Sequence, residues 1–599
     1  METFDVIILG SGAGGAPVAH MLARAGKSVL VLEKGPLLRT QEEHPLGVSD
    51  FKRDELFATG PEKKLTLAGI ANRGETFFTS HVEPDLNDEP HIYEGADGLD
   101  RATIEGYTAQ VVGGGTQLYG AVSLRFSKLD FQLASYNAGR GNLAGDPAGD
   151  VQKYARDWPV SYAQMEPYYG EAERLVGING TSTNQGKPFS ADHYQTPYPP
   201  NPISGFVETG MDALGMPRYR TPLAVITENH APSGRVIPPG PEPAKTGYVN
   251  RYGDPLSLKS NTWVALLRPL QALPNFTLRA NCVATHLEAA ADKVTQVVYR
   301  DAAGREQKVA GKLIVVACSA IESVRLLMLS SEIDPAFGAR INSNGLLGRY
   351  FLTHCFGGAE AIVPGRYDKS VSLDSDWATD FCATDAFIKA NGLWAGGAIY
   401  NNTSDQALPI SLARTHGSAD MDTIWRAFIN DTGMTGDALN AFFDANFGTR
   451  LSVSFMANQV PLPTNRIELH PSVRDKWGRR VAYIRKIWHG HDVRLMDVFA
   501  AQCRDILEHG VGGDFKVNEF GAIYMAENAR ARIANHILGG ARFGIDPADS
   551  VLDLNCRAWN FDNLYVTDGS FMPTAGGANP TLTIQANALR VAEHLLARL

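Results

Sequence analysis

An α/β fold in two packed domains is what this sequence predicts, on three observations: its length, a strand–turn–helix–strand unit at its start, and strand-like runs that return in its second half. At 599 residues the chain exceeds what one hydrophobic core organises. Residues 4–9, Phe-Asp-Val-Ile-Ile-Leu, are a short apolar run rich in β-branched side chains, and they stop at Gly10-Ser-Gly12-Ala-Gly14-Gly15. Residues 16–26 read as a helix closing at Gly26, and residues 28–33 as a second strand ending at Glu33. Gly10 permits the tight turn, Gly12 lets backbone amides approach a pyrophosphate, and Gly15 lets helix and strand pack closely. The helix start adds partial positive charge for the phosphates. Glu33 is placed to accept hydrogen bonds from a ribose diol and to disfavour a 2′-phosphate. The unit is Rossmann-like. Its spacing does not choose between FAD and NAD; its place at the start of a long chain favours a flavoprotein.

Composition narrows the class. Hydrophobic residues make up 44% and charged residues 20%, as in soluble globular proteins. Lys and Arg number 55 against 65 Asp and Glu, a net charge of −10, so the basic footprint of a nucleic-acid binder is missing. Cys282, Cys318, Cys355, Cys382, Cys503 and Cys556 are dispersed without a CxxC pair, which argues against a disulfide scaffold, a zinc ribbon or a cysteine-held iron–sulfur cluster. No apolar run reaches spanning length. Strand-like residues begin at Phe4, leaving no room for a signal peptide, so a cytoplasmic location is expected, with export alongside a partner subunit left open.

Along the chain, residues 36–100 read as loops and short elements. Residues 108–126 set three glycines, including Gly113 and Gly114, before Thr116, a segment able to lay backbone against a flat or charged ligand. Residues 130–150 read as a surface connection, 157–178 as a helix started by Ser161, and 190–257, rich in Pro and Gly, as surface chain. From 276 onward short strands resume, as in the antiparallel crossover of a nucleotide-binding domain. Residues 312–330 then read as a buried strand returning to the first sheet, a turn of small residues and a helix. The stretch 356–465 holds Phe381, Phe387, Trp394, Trp425, Phe428, Phe442, Phe443 and Phe455, mostly core, where a substrate-covering domain would sit. His489-Gly-His491-Asp492 has a metal-like look, but without further ligands it reads as a solvated helix start, and no metal is expected. In the last block, residues 563–568 read as a strand and an acidic turn. Asn579 then precedes Pro580, expected at the first position of a closing helix. His536 and Asn579 are the polar residues that stand out there.

With these segments in hand, the chain resembles the glucose-methanol-choline (GMC) family of flavin-dependent oxidoreductases. The resemblance runs through the first turn, residues 113–126, 157–173, 317–327, 345–354, 465–478 and the block 535–599. Residues 317–323 and 573–584 look most like the branch containing pyranose 2-oxidase and gluconate dehydrogenase. The resemblance implies FAD, a Rossmann-like FAD-binding domain and an α+β substrate domain built on an antiparallel sheet. Its implied boundaries are 1–355 for the FAD-binding domain, with substrate-domain insertions near 60–105 and 160–255; 356–490 for the substrate domain; and 491–599 for the return carrying the catalytic block. It implies His536 and Asn579 as the catalytic pair. Cofactor contacts are implied for Gly10, Gly12, Gly15, Glu33, Gly113, Gly114, Thr116, Val283 (near the adenine), Asp568, Gly569, Pro580 and Thr581. Such a pair suits alcohol oxidation: an imidazole takes the hydroxyl proton, and a carboxamide orients the same oxygen. The closing helix would point its positive end at the flavin pyrimidine edge.

Where pyranose 2-oxidase-like proteins can carry a flavin-linking histidine, this chain has Leu118, so the FAD is expected to be non-covalent. The implied substrate is a sugar, glycoside or polyol alcohol, with oxygen or a quinone-like acceptor and, as further possibilities, a homo-oligomer or a small accessory subunit. Two alternatives stay open: a flavin-containing lyase on the same scaffold, and a catalytic flavin subunit of a multi-subunit dehydrogenase.

Overall fold

The structure is a computed structural model, and it describes the chain except for residues 51–62, 71–75, 78–84, 96–97, 103–108, 142, 240–253, 255, 368–374, 403–432, 439, 442–447, 513–516 and 520–535. Trp425, Phe428, Phe442 and Phe443 therefore lie outside the described residues.

The apolar start of the chain forms the strand Thr3–Leu9, at the heart of a seven-stranded sheet. It pairs in parallel with Val29–Leu32 on one side and Glu306–Val316 on the other; Phe276–Arg279 and Leu564–Val566 extend the parallel set at either end. Val6–Leu9, Val29–Leu32 and Ile314–Val316 are all buried, as continuous apolar strands must be when helices cover both faces. The expected crossover is present: Val283–Ala290 and Lys293–Arg300 form an antiparallel meander that feeds into Glu306–Val316. The helix Ala16–Arg24 covers one face, and the helix Thr581–Leu596 packs on it and on the helix Tyr162–Val176. Ser161 caps the last of these through a reciprocal capping box with Gln164, the start predicted for it.

A second, six-stranded sheet is antiparallel throughout, in the order Val517–Glu519, Cys355–Ile362, Arg450–Ala457, Gly397–Asn402, Trp377–Thr379, Tyr219–Arg220. Phe455 and Trp394 are wholly buried in its core and Phe387 nearly so. The long helix Gly490–Val511 lies against this sheet and crosses Gly205–Ala213 at close quarters: a Cβ on Gly210 would come within 1.9 Å of the Ile506 carbonyl oxygen. The strand Val517–Glu519 at the edge of this sheet pairs with Cys355–Ile362, beside the same helix. A four-stranded sheet joins Arg466–Arg474 and Arg480–Arg485 to Ile92–Glu94 and Asp100–Ala102.

Candidate active site

The carboxyl ends of the parallel strands converge on two glycine turns. Gly10 follows Leu9 with φ +104°, and a Cβ there would lie 2.2 Å from the Ala317 carbonyl oxygen. A Cβ on Gly15 would lie 2.1 Å from the Gly10 oxygen, so turn and helix interlock. The helix Ala16–Arg24 begins without a side-chain cap or an acidic residue in its first turn. The second turn, with Gly113 at φ +100° and Gly114 at φ +53°, packs onto the first; a Cβ on Gly114 would stand 3.1 Å from Gly12 Cα. Ser11 ties the two: its hydroxyl donates to Glu33 Oε2 at 2.6 Å and accepts from Gly113 N at 2.9 Å.

Glu33 is buried and also accepts from Ser11 N at 3.0 Å and Gly35 N at 2.9 Å. Burial pushes its carboxyl above the usual range against the pull of these donors. The main chain of Glu33 accepts from Cys282 N at 2.8 Å, which brings Val283 beside it. Thr116 turns its hydroxyl inward, donating to Gly113 O at 2.6 Å and accepting from Thr262 N at 2.9 Å. Asp568 closes the cradle with its backbone, since a Cβ on Gly14 would lie 2.8 Å from Asp568 N. Its carboxylate serves the protein, accepting from Ser570 N at 2.9 Å, the Ser570 hydroxyl at 2.6 Å and the Ser323 hydroxyl. Side-chain-free turns, an uncapped helix start and a buried carboxylate at a strand end suit the pyrophosphate and ribose of FAD.

The turn at 568–569 also supports the next segment. A Cβ on Gly569 would meet Leu538 Cδ2 at 2.8 Å and Ile537 O at 3.0 Å, directly beyond His536. Leu538–Gly539 pairs antiparallel with Phe351–Leu352, matching Phe351 to Gly539 and Leu352 to Leu538. Continued by two positions on each strand, that register sets His354 opposite His536. Their Nδ1 atoms are 3.2 Å apart, with the rings edge-on at 84°. His354 is wholly buried. Burial first, and the neighbouring His536 second, hold its pKa well below the ordinary value, while the backbone carbonyls of Ala575, Gly576 and Ala578 pull the other way.

Those carbonyls lead into Asn579. The 574–580 loop lies across the antiparallel sheet, with Ala398 N donating to Gly577 O at 2.8 Å and Gly576 N to Asn458 Oδ1 at 2.7 Å. Asn579 is 9% exposed; its Nδ2 donates to the Tyr400 hydroxyl at 3.4 Å, and its Oδ1 is buried without a partner. It does not cap the closing helix. Pro580 takes the cap position and the helix starts at Thr581, one residue later than expected.

His354 is the residue that motif reading missed. It ends the 345–354 run, but its pairing with a residue 182 positions away left no local trace. At His489-Gly-His491-Asp492 the helix start is real but not solvated, because His491 and Asp492 are wholly buried. His491 Nδ1 donates to Ala144 O at 2.7 Å, and Asp492 accepts from Val460 N at 2.8 Å. Burial raises the Asp492 carboxyl to about 6. His489 Nε2 lies 3.5 Å from Asp146 and 3.6 Å from Asp150. Its Nδ1 accepts from His491 N at 3.1 Å.

Residues 461–588 match the GMC oxidoreductase family model, and residues 5–46 match an FAD binding domain model. The chain is 28% identical to paromamine 6′-oxidase of Streptomyces fradiae, across 99% of this chain and 91% of that one. It is 27% identical to the fructose dehydrogenase large subunit of Gluconobacter japonicus, across 99% and 97%. Pyridoxine 4-oxidase from Mesorbium loti shares the fold, with a TM-score of 0.58 at 16% identity over 99% of both chains.

Proposed function

We propose, from the premise that this chain belongs to the GMC oxidoreductase family of FAD-binding enzymes acting on alcohol groups, that it oxidises a CH–OH group of a sugar, glycoside or polyol with His536 as base. The observation that carries this reading is His354, whose Nδ1 lies 3.2 Å from His536 Nδ1 and whose ring faces the Ala575, Gly576 and Ala578 backbone leading into Asn579, while Leu538, two residues past His536, packs at the Gly569 turn beside the glycine cradle. The relatives named for paromamine and fructose support a sugar-type alcohol.

When bound, FAD supplies the acceptor for the hydride leaving the carbinol carbon. His536 takes the hydroxyl proton at an imidazole nitrogen, a group whose basicity suits the task near neutral pH. Asn579 holds the same hydroxyl with its carboxamide, turned into position by Tyr400. Gly10, Gly12, Gly15, Gly113 and Gly114 would receive the pyrophosphate, Glu33 the ribose and Val283 the adenine. Gly569, Pro580 and Thr581 would border the flavin end, where the closing helix directs its positive terminus. Leu118 cannot form a covalent flavin bond, which supports a dissociable cofactor. Oxygen or a quinone-like compound would reoxidise the enzyme, and the relative named as a large subunit supports an accessory chain as a possible partner.

The test is anaerobic mixing of the FAD-loaded protein with a panel of sugars and polyols. A substrate bleaches the flavin, and His536→Ala slows that bleaching by about 10²–10⁴-fold. Bleaching by no alcohol, or bleaching unchanged in His536→Ala, would refute the assignment.

A further inference from the structure

We propose that His354 is a positioning residue for the base: its Nδ1 accepts a hydrogen bond from His536 Nδ1–H and so directs the Nε2 lone pair of His536 at the substrate hydroxyl. This deepens the function proposed above and rests on His536 being the base.

Two Nδ1 atoms 3.2 Å apart form a hydrogen bond only if one donates and the other accepts. The surroundings of His354 decide which. It is wholly buried, and the backbone carbonyls of Ala575, Gly576 and Ala578 face its ring. Its Nε2 is buried and has no hydrogen-bond partner among the described residues. Carbonyl oxygens beside the ring can only accept, and Nδ1 is already engaged by His536, so a hydrogen on Nε2 suits these surroundings better than a lone pair. The favoured tautomer therefore carries hydrogen on Nε2 and leaves Nδ1 as acceptor. Burial keeps the His354 ring neutral, so it cannot donate from both nitrogens. The hydrogen in the shared bond then belongs to His536, and His536 Nε2 is left as the basic atom.

Backbone geometry holds the pair in place. The strands Phe351–Leu352 and Leu538–Gly539 set the two residues opposite each other, and Thr353 N is anchored by Gln459 Oε1 at 2.8 Å. On the far side of His354, the Cys355 thiol is pushed up by burial and faces Asp492 and Lys486. When His536 takes the substrate proton, its Nδ1–H stays bonded to a neutral acceptor already in position, which favours the imidazolium without reorganisation.

The experiment compares His354→Phe, which keeps ring volume and loses the acceptor, with His354→Asn, whose carboxamide oxygen can replace it. His354→Leu serves should the phenyl ring prevent folding. In the FAD-loaded enzyme, the limiting rate of flavin bleaching should fall about 10–100-fold in His354→Phe, with the substrate dissociation constant unchanged, and recover most of that loss in His354→Asn. In the cofactor-free protein, carbethoxylation of His536, read by peptide mass, needs a free ring lone pair; it should slow about threefold or more in His354→Phe and not in His354→Asn. A bleaching rate in His354→Phe within about threefold of wild type overturns the inference. So does equal loss in both variants accompanied by lost FAD affinity, the pattern of a merely structural residue. Unchanged bleaching in His536→Ala would instead remove the base assignment, so the two failures are distinguishable.

Discussion

Replacing Glu33 by Gln tests the glycine cradle at its most connected side chain. The carboxylate accepts three hydrogen bonds, two from Ser11 through Oε2 and one from Gly35 through Oε1. A carboxamide can keep its oxygen on the Ser11 pair, and its NH2 then faces the Gly35 N–H, donor against donor. One hydrogen bond to a charged acceptor is lost, worth about 1.5–3 kcal/mol. Part of that loss is returned, because burial already disfavours the ionised Glu33. A net of about 1–2 kcal/mol remains, and it falls on the turn that carries Gly12 and, through the Ser11 hydroxyl, on Gly113. The ribose also loses its anionic acceptor. The dissociation constant for FAD should rise about 5–30-fold, at about 1.4 kcal/mol per tenfold. Titrating cofactor-free protein with FAD and following the quenching of flavin fluorescence measures it. Affinity within about twofold of wild type would refute the reasoning that Glu33 braces the cradle and meets the ribose.

Three other outcomes are expected. Gly576 has φ +79°, and a Cβ there would lie 2.1 Å from Phe126 Cζ. Gly576→Ala should therefore destabilise the protein by about 2–5 kcal/mol in urea unfolding, from left-handed strain and overpacking together, and slow bleaching by displacing Asn579. His230 is held down to about 4, by burial first and the Arg235 guanidinium second. The unfolded chain binds that proton near 6.5 and the folded one only near 4, so stability is intact above about 6.5 and is lost as pH falls towards 4, by about 1–3 kcal/mol after allowing for partial solvent screening. His230→Gln should flatten that acid limb relative to wild type in unfolding curves collected from pH 7 to 4. Acid precipitation of the loaded enzyme should release all the flavin to the supernatant, and colour retained in the pellet would show a covalent link that Leu118 cannot make.

Much of the fold was legible because its signals are local. The run before Gly10, the helix after Gly15 and the strand ending at Glu33 each carry their own periodicity, and their parallel pairing follows from short connections. The crossover at 283–316 declared itself by alternation and turns. Contacts set by tertiary pairing were not legible. The amphipathic helix Gly490–Val511 shows an apolar face but not which sheet that face will meet. His491 and Asp492 look solvated until Ala144 O and Val460 N satisfy them in the interior. At the site, His536 and Asn579 stood out by their motif, whereas His354 depends on a ladder register that links chain segments far apart. Pro580 shows the smaller error of a helix boundary, shifted by a single residue.

The parallel sheet is completed by Leu564–Val566 pairing with Glu306–Val316, and Thr581–Leu596 overlies Ala16–Arg24, a helix laid down at the very beginning of the chain. Thr567 reaches back 553 positions to hold Gly14 O at 2.8 Å. During translation the early glycine turns must wait, unsupported, until this late segment leaves the ribosome. A prematurely terminated chain would expose the apolar edge of Glu306–Val316 and lack Asn579, making it a target for chaperones and proteases before it could ever turn over an alcohol.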